Sequence, residues 1–553
     1  MRLLDWVILW LSQLLIVGYG LYATRGTRTT LAFLKAGKSQ GWWAVGLSVM
    51  ATQASAITFL SGPGQAFAEG MGFLQMYFGL PLAMMVIIGL FIPAYEKWNI
   101  TTAYEFLEAR LGPGVRWLTA GLFLTQRGLA AGFTIFAPAL VLSVLLQWDI
   151  RTTVALCGSA VVLYTVTGGS RAVAETQKFQ MAVMMTGLFF ALFLLLQQAF
   201  PENSDWVQRG RITAFTGRLK AVDPTLNFSE KYTLWSGLIG GFFLALSYFG
   251  TDQSQVARYI GSRNAGEARK GLIMNAILKI PMQAVVLLCG VLLYVYYLGH
   301  PRPLNFNSRI EKEIWNSKNS NLNHFVTHYQ RVSDSLRWAY WEVLGKPESL
   351  PLVVRARDSL EKALQSAATS ALQGEDVRDT NYIFLRFAVD HFPPGVLGLI
   401  VSMLISAAMS SASSELNALA GVTSVDFIQR MSREPFSEKK LLRLSRISTV
   451  FWGLYAVAFA MLAGRLGTLI EAVNMLGSLV YGVILGIFLT ALSPVRVRGR
   501  DVILAALVAE SIILFLFFTD KLPFLWLNPL GTLVVVSVSL TLARIFKIQK
   551  SAS

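Results

Sequence analysis

The chain has 553 residues, of which 54% are hydrophobic and only 14% charged, and it carries a formal net charge of +16. That composition excludes a soluble globule of ordinary surface and fits a polytopic membrane protein. The positive charge does not mark a nucleic-acid binder, because the basic residues recur at the ends of apolar runs.

Apolar runs long enough to cross a bilayer, about 20 residues each, fall near 3–23, 42–68, 73–95, 117–146, 152–168, 179–200, 233–256, 271–299, 394–423, 446–464, 468–492, 501–519 and 523–543. The expectation is an all-α protein with about 13 transmembrane helices. No small-residue cleavage site follows the first run, which therefore reads as a retained helix rather than a signal peptide. Every second connection is basic: Arg25, Arg28, Lys35 and Lys38; Lys97, Arg110 and Arg116; Arg171 and Lys178; Arg258, Arg263, Arg269 and Lys270; Arg430 to Arg446; Arg496, Arg498 and Arg500; Arg544, Lys547 and Lys550. By the positive-inside rule this predicts a multi-pass cell-membrane protein with its N-terminus outside and its C-terminus cytoplasmic. The 201–232 connection runs against the rule, since it places Arg209, Arg211, Arg218, Lys220 and Lys231 on the outer side.

Two runs carry helix breakers. The second holds Gly62-Pro63-Gly64, and the seventh holds Gly237, Gly240, Gly241 and Gly250 near Asp252. Interrupted helices in matching places of two halves point to a transporter site, where freed carbonyls and helix ends meet an ion and a solute. The second and seventh runs are five apart, as an inverted five-plus-five repeat requires. The expected organisation is an extra helix and cytoplasmic loop over 1–41, a first repeat over 42–200, an outer loop over 201–232, a second repeat over 233–492 and two further helices with a short tail over 493–553.

Within the second repeat, 300–391 is a polar extracellular insertion. Arg355 to Leu372 has helical spacing, and Trp315, Trp338 and Trp341 are candidates to press the insertion onto the membrane face as a lid or cap. All four histidines, His300, His324, His328 and His391, lie in or beside it. His324 and His328 have the spacing of a zinc face, but no HExxH glutamate or third ligand accompanies them, so a solvated helix surface is favoured. Cys157 and Cys289 fall inside predicted helices and read as packing residues.

The run from Pro393 to Phe427 is apolar enough to span yet holds five closely spaced serines. Ala407, Ser410 and Ser411 share one helical face, where hydroxyls and a carbonyl suit a small, hard, dehydrated cation. Small residues also let helices approach closely, but the matched breaks favour the cation site. Arg127, Asp252, Lys279, Glu471 and Glu510 lie in or near spans, where charges are functional candidates. Asp252 and Lys279 are expected to flank a cavity and to pair with each other or with Arg127, either for function or as a structural tie.

Several motifs then stand together in one order: Ser48-Val49-Met50-Ala51-Thr52-Gln53-Ala54-Ser55-Ala56-Ile57-Thr58-Phe59-Leu60, Thr102-Ala103-Tyr104-Glu105-Phe106-Leu107-Glu108-Ala109-Arg110, Val166-Thr167-Gly168-Gly169-Ser170-Arg171, Thr251-Asp252-Gln253-Ser254-Gln255-Val256-Ala257-Arg258-Tyr259, and the serine run with Asp426. In this set the chain resembles the sodium:solute symporter family, which includes sodium/glucose, sodium/proline, sodium/iodide and sodium/sialic acid cotransporters. The resemblance implies a LeuT-type fold with flanking helices. It also implies a sodium site built from the carbonyls of Ala51, Ala54 and Ala407 and the hydroxyls of Ser410 and Ser411. Neutral oxygens suit an ion that must be released on every cycle.

Family members with a second sodium or a coupled proton place an aspartate in a Thr-Asp pair where this chain has Thr176-Gln177. A second site at Ser413, Ser414 and Gln177 thus lacks its carboxylate, and one sodium is expected. By the same resemblance Gln53, Ser55, Thr58, Tyr77, Asp252 and Lys279 are substrate-binding candidates, with Gln283 a weaker one. Asp252 stands where sugar transporters have asparagine, and Thr58, Tyr77 and Val473 occupy other sugar-site positions, so a hexose is not favoured. The expected function is sodium-coupled import of a small polar organic solute by alternating access, with sodium as the only metal and no organic cofactor. Small solute and membrane lipid are the partners, with neither nucleic acid nor an obligatory protein partner. An anion, monocarboxylate or vitamin symporter is the alternative if Lys279 or Arg127 faces the cavity unpaired. A non-transporting sensor would need a signalling domain that does not follow Arg544, and an enzyme would need a catalytic motif that the spans lack.

Overall fold

The computed structural model describes residues 1–23, 33, 38–201, 204–317, 319–343, 350–372, 377–432, 436–463 and 468–552. Arg25, Arg28 and Lys35 of the first basic connection lie outside them. The bilayer core offers no water to a peptide group, so apolar runs close their hydrogen bonds within themselves as helices. Among the described residues the fold is helical throughout, apart from one isolated bridge between Gln40 and Ser262. Ten helical stretches among the described residues are long and apolar enough to cross a membrane. The runs predicted at 152–168 and 179–200 form one stretch, Ile150–Gln198, bent where Gly169 takes φ +60°.

The second run is broken, but not at Gly62-Pro63-Gly64. Helix Trp42–Gln53 ends at Ala54, Ser55 is extended, and helix Ala56–Glu69 then runs straight through Pro63. The two glycines serve close packing instead. A Cβ on Gly64 would stand 1.9 Å from the Thr380 carbonyl oxygen, and one on Gly62 would stand 2.8 Å from Val286 Cγ1. In the seventh run helix Gly241–Thr251 stops at Asp252, which is extended and opens helix Gln253–Ile260. Asp252 Oδ1 accepts the Ser254 N–H (2.9 Å), so this break is an N-cap formed inside the protein core.

Helix Val396–Val422, the serine helix, is buried along nearly its whole length and packs against Ile150–Gln198, Pro113–Leu146 and Leu3–Ala23. Its small residues permit this crowding.

The insertion folds onto one end of the bundle with a small core of its own, including Ile310, Leu322, Tyr329 and Leu364. The helical spacing read at Arg355 to Leu372 is realised in helix Leu350–Ala371. All three tryptophans are exposed, and Trp341 also donates to the Gly299 carbonyl (3.0 Å). His324 and His328 are both exposed, and no cluster of three or more metal-binding side chains occurs among the described residues.

Several basic residues of the 201–232 loop meet carboxylates. Lys231 pairs with Glu471 (2.6 Å). Arg218 binds both oxygens of Asp358 in the insertion at 2.9 Å, donates to the Ala68 carbonyl, and lies 4.4 Å from the Tyr294 ring centre. One guanidinium therefore clamps the cap to the last turn of Ala56–Glu69.

Candidate functional site: the helix breaks and the serine helix

Where Trp42–Gln53 ends, the Ser55 N–H turns to the Gln53 carbonyl (3.1 Å), leaving the Ala51 carbonyl without its usual partner four residues on. Ser410 supplies a hydroxyl to Ala51 O at 3.0 Å, and Ser411 donates to Thr52 O at 3.1 Å and Ala51 O at 3.4 Å. Ala54 ends the half-helix and Ala407 lies one turn before the serines; both are wholly buried. Thr52, which the sequence reading left out of the ion site, supplies a carbonyl of the same kind.

Gln177 fills the space beside these oxygens. Its Nε2 donates to Ser410 Oγ (2.9 Å), Ser414 Oγ (3.1 Å) and Thr52 Oγ1 (3.1 Å), while its Oε1 accepts from the Ser48 hydroxyl. The structure thus joins Gln177 and Ser414, but Ser413 accepts from Thr165 Oγ1 (3.0 Å) instead. An amide nitrogen among three hydroxyls does the electrostatic work of a cation with partial charge only.

On the other side of the break lies a cavity of about 110 Å3 whose walls include Gln53, Ser55, Thr58, Tyr77, Tyr248 and Val473. Asp252 and Lys279 do not line it. Arg127 and Glu415 do, and with Asp252 they form a buried charged cluster that includes Tyr481. Arg127 Nη2 donates to Asp252 Oδ2 and to the Tyr481 hydroxyl, and Nη1 donates to Glu415 Oε1 at 3.1 Å. Tyr481 in turn donates to Asp252 Oδ2 (3.0 Å), and the guanidinium lies 5.3 Å from the Tyr248 ring centre.

Of the two pairings expected for Asp252, with Lys279 or with Arg127, the structure shows the one with Arg127. The reason is geometric: Asp252 spends one oxygen on its cap and the other on Arg127 and Tyr481. Lys279 is fully buried, its Nζ has no hydrogen-bond partner, and it stands 5.3 Å from the Tyr77 ring centre. Asn275 and Gln283, one turn to either side of Lys279, are also buried, and neither side-chain amide has a partner. Glu415 was missed in the sequence although its signal was present, an acid inside an apolar span.

The family model of the sodium:solute symporter family matches residues 33–303 and 361–507. The chain belongs to the sodium:solute symporter family. It is a family of transporters, not enzymes. The gap between the two matched segments lies within the insertion. Sodium-coupled monocarboxylate transporter 1 of Xenopus laevis is 27% identical over 490 residues, covering 88% of this chain and 67% of the relative. The sodium/sialic acid symporter NanT of Aliivibrio fischeri is 25% identical over 539 residues, 96% of this chain and 91% of the relative. The human sodium/iodide cotransporter is 25% identical over 499 residues, 88% of this chain. The chain spans about two thirds of the length of these two vertebrate relatives. A solved structure of a Na+-coupled sialic acid symporter, in a substrate-bound outward-open state, matches with a TM-score of 0.75 at 20% identity over 98% of both chains. The fold of this family member is thus the LeuT-type.

Proposed function

We propose that this protein couples sodium entry to the import of a small polar organic solute by alternating access. The observation that carries the reading is the convergence of the Ser410 and Ser411 hydroxyls on carbonyls freed at a helix break, beside a polar cavity. Sodium is the cargo that drives the cycle, held by Ala51, Ala54, Ala407, Ser410 and Ser411, and the solute contacts Gln53, Ser55, Thr58 and Tyr77. A cavity of about 110 Å3 suits a small solute, being well below the roughly 300 Å3 floor of drug-sized pockets. Sodium-dependent stabilisation of the purified protein, followed by uptake into proteoliposomes under an imposed sodium gradient, tests the reading. Equal behaviour in sodium and potassium sinks it.

A second reading, sodium-coupled import of a carboxylate, is favoured by Lys279, whose buried Nζ has no hydrogen-bond acceptor. Arg127 gives it less support, since two carboxylates already hold that guanidinium.

Gln177 bears on the number of ions. Its amide occupies the hydroxyls of Ser414 and Thr52, and a neutral group supplies no full charge to a second cation, so one sodium accompanies each solute. One charge crossing 100 mV contributes about 2.3 kcal/mol and a tenfold sodium gradient about 1.4, enough to concentrate a neutral solute roughly 500-fold. Two ions would square that limit. Reversal potentials in voltage-clamped proteoliposomes are expected to fit one ion per neutral solute; a fit to two would show that Ser413 and Ser414 bind sodium without a carboxylate.

The proposed orientation puts the N-terminus and the 300–391 insertion outside a cell membrane and the 430–446 connection in the cytoplasm. Ser335 and Ser437 are both exposed on these segments. In a background lacking Cys157 and Cys289, cysteine at Ser335 is expected to react with an impermeant thiol reagent added to intact cells, and cysteine at Ser437 only after permeabilisation. The reverse pattern inverts the topology.

A further inference from the structure

Beside the cavity one cation stands against two carboxylates: Arg127 and Glu415 line it, and Asp252 lies behind them, paired with Arg127. Glu415 lines the cavity, is only 6% exposed, and leaves Oε2 without a hydrogen-bond partner. Besides Arg127, the Thr134 hydroxyl is within reach of this carboxylate as a donor, although it also turns to the Ala130 carbonyl (3.3 Å). Gln53 Oε1, on the same cavity, is likewise buried and unpartnered. Buried acceptors left without donors are costly, and a charged one most of all. The aromatic residues Tyr77, Tyr248, Phe249 and Tyr481 complete much of the wall, a lining that attracts organic cations.

We propose that the transported solute carries a positively charged, N–H-bearing nitrogen, and that Glu415 Oε2 is its anchor. This rests on the reading of the cavity as the solute site. An anion lacking such a nitrogen would meet an unpaired carboxylate oxygen, because the terminal nitrogens of Arg127 are already engaged and Lys279 stands outside the wall. A carboxylate at the far end of the same solute is compatible, since Arg127 Nε is unpartnered. The substrate class is therefore a small amine or a zwitterion.

The test is the thermal stability of the purified full-length protein, in sodium and in potassium, with two matched pairs of probes at millimolar concentration. L-Alanine is set against L-lactate, which has a hydroxyl in place of the ammonium, and ethanolamine against ethylene glycol. The amine of each pair is expected to raise the unfolding temperature more than its partner in sodium, and Glu415→Gln to abolish the difference. Monodisperse elution and a cooperative melt establish that the variant is folded; should it not be, Glu415→Asp, which keeps the charge, is expected to retain the order of preference. A preference for lactate, or no difference within either pair, overturns the proposal. An amine preference that is the same in sodium and potassium supports the anchor and overturns the sodium reading instead. A sodium response without amine preference does the reverse.

Discussion

Ser411→Ala is expected to raise the sodium concentration for half-maximal transport by about 10- to 100-fold, the equivalent of losing about 1.5–3 kcal/mol from one oxygen contact to a charge. At the proposed site the ion sheds its water, so no solvent would replace the missing hydroxyl. Ser410→Ala is expected to act in the same direction, but it also removes an acceptor of the Gln177 amide, so the Ser411 variant isolates the ion more cleanly. Sodium titration of initial uptake rates, at clamped potential and with protein incorporation matched, reads the change. Wild-type sodium dependence in both variants would remove the site from this helix face.

The buried charged cluster predicts the second large effect. Breaking a buried pair from one side costs about 3–5 kcal/mol, because the remaining charge is stranded. Asp252→Asn leaves Arg127 with Glu415 as its one carboxylate, and Arg127→Met strands two carboxylates. Each is expected to lower transport by at least about 100-fold and to destabilise the protein. The double variant is expected to be no worse than the poorer single one, since both act through one contact. Lys279→Met is expected to add independently to Asp252→Asn, because the two side chains do not meet. Uptake and thermal unfolding of the singles and doubles measure both couplings, and additivity between Arg127 and Asp252 would disprove the cluster as a unit.

What the sequence revealed depended on whether the information was local. Apolar runs located the helices because a bilayer imposes length and polarity on each segment separately. A break near Asp252 was legible because helix-breaking glycines gather before it, whereas the N-cap that Asp252 forms was not. The break at Ala54 and Ser55 was not: their φ/ψ values, −83°/75° and −78°/171°, are open to any L-residue, so no glycine or proline marks the place. Gly62 and Gly64 gave a misleading signal, since neighbours distant in sequence, Val286 and Thr380, set the need for a small residue there. The partners of Arg127 were hidden for a related reason. They lie 125 and 288 residues away, and nothing local tells an acid which base it will meet. The serine face and Gln177 were legible as residues, whereas the exchange of Ser413 for Thr52 around that amide follows from how helices are rotated against each other.

The Arg218 clamp gives the insertion's end of the bundle a mechanical character. The half-helix that borders the solute cavity ends at a carbonyl held by the same guanidinium that holds Asp358 of the cap. The half-helix and the insertion thus share one charged tether, so neither can shift without the other unless that grip is broken.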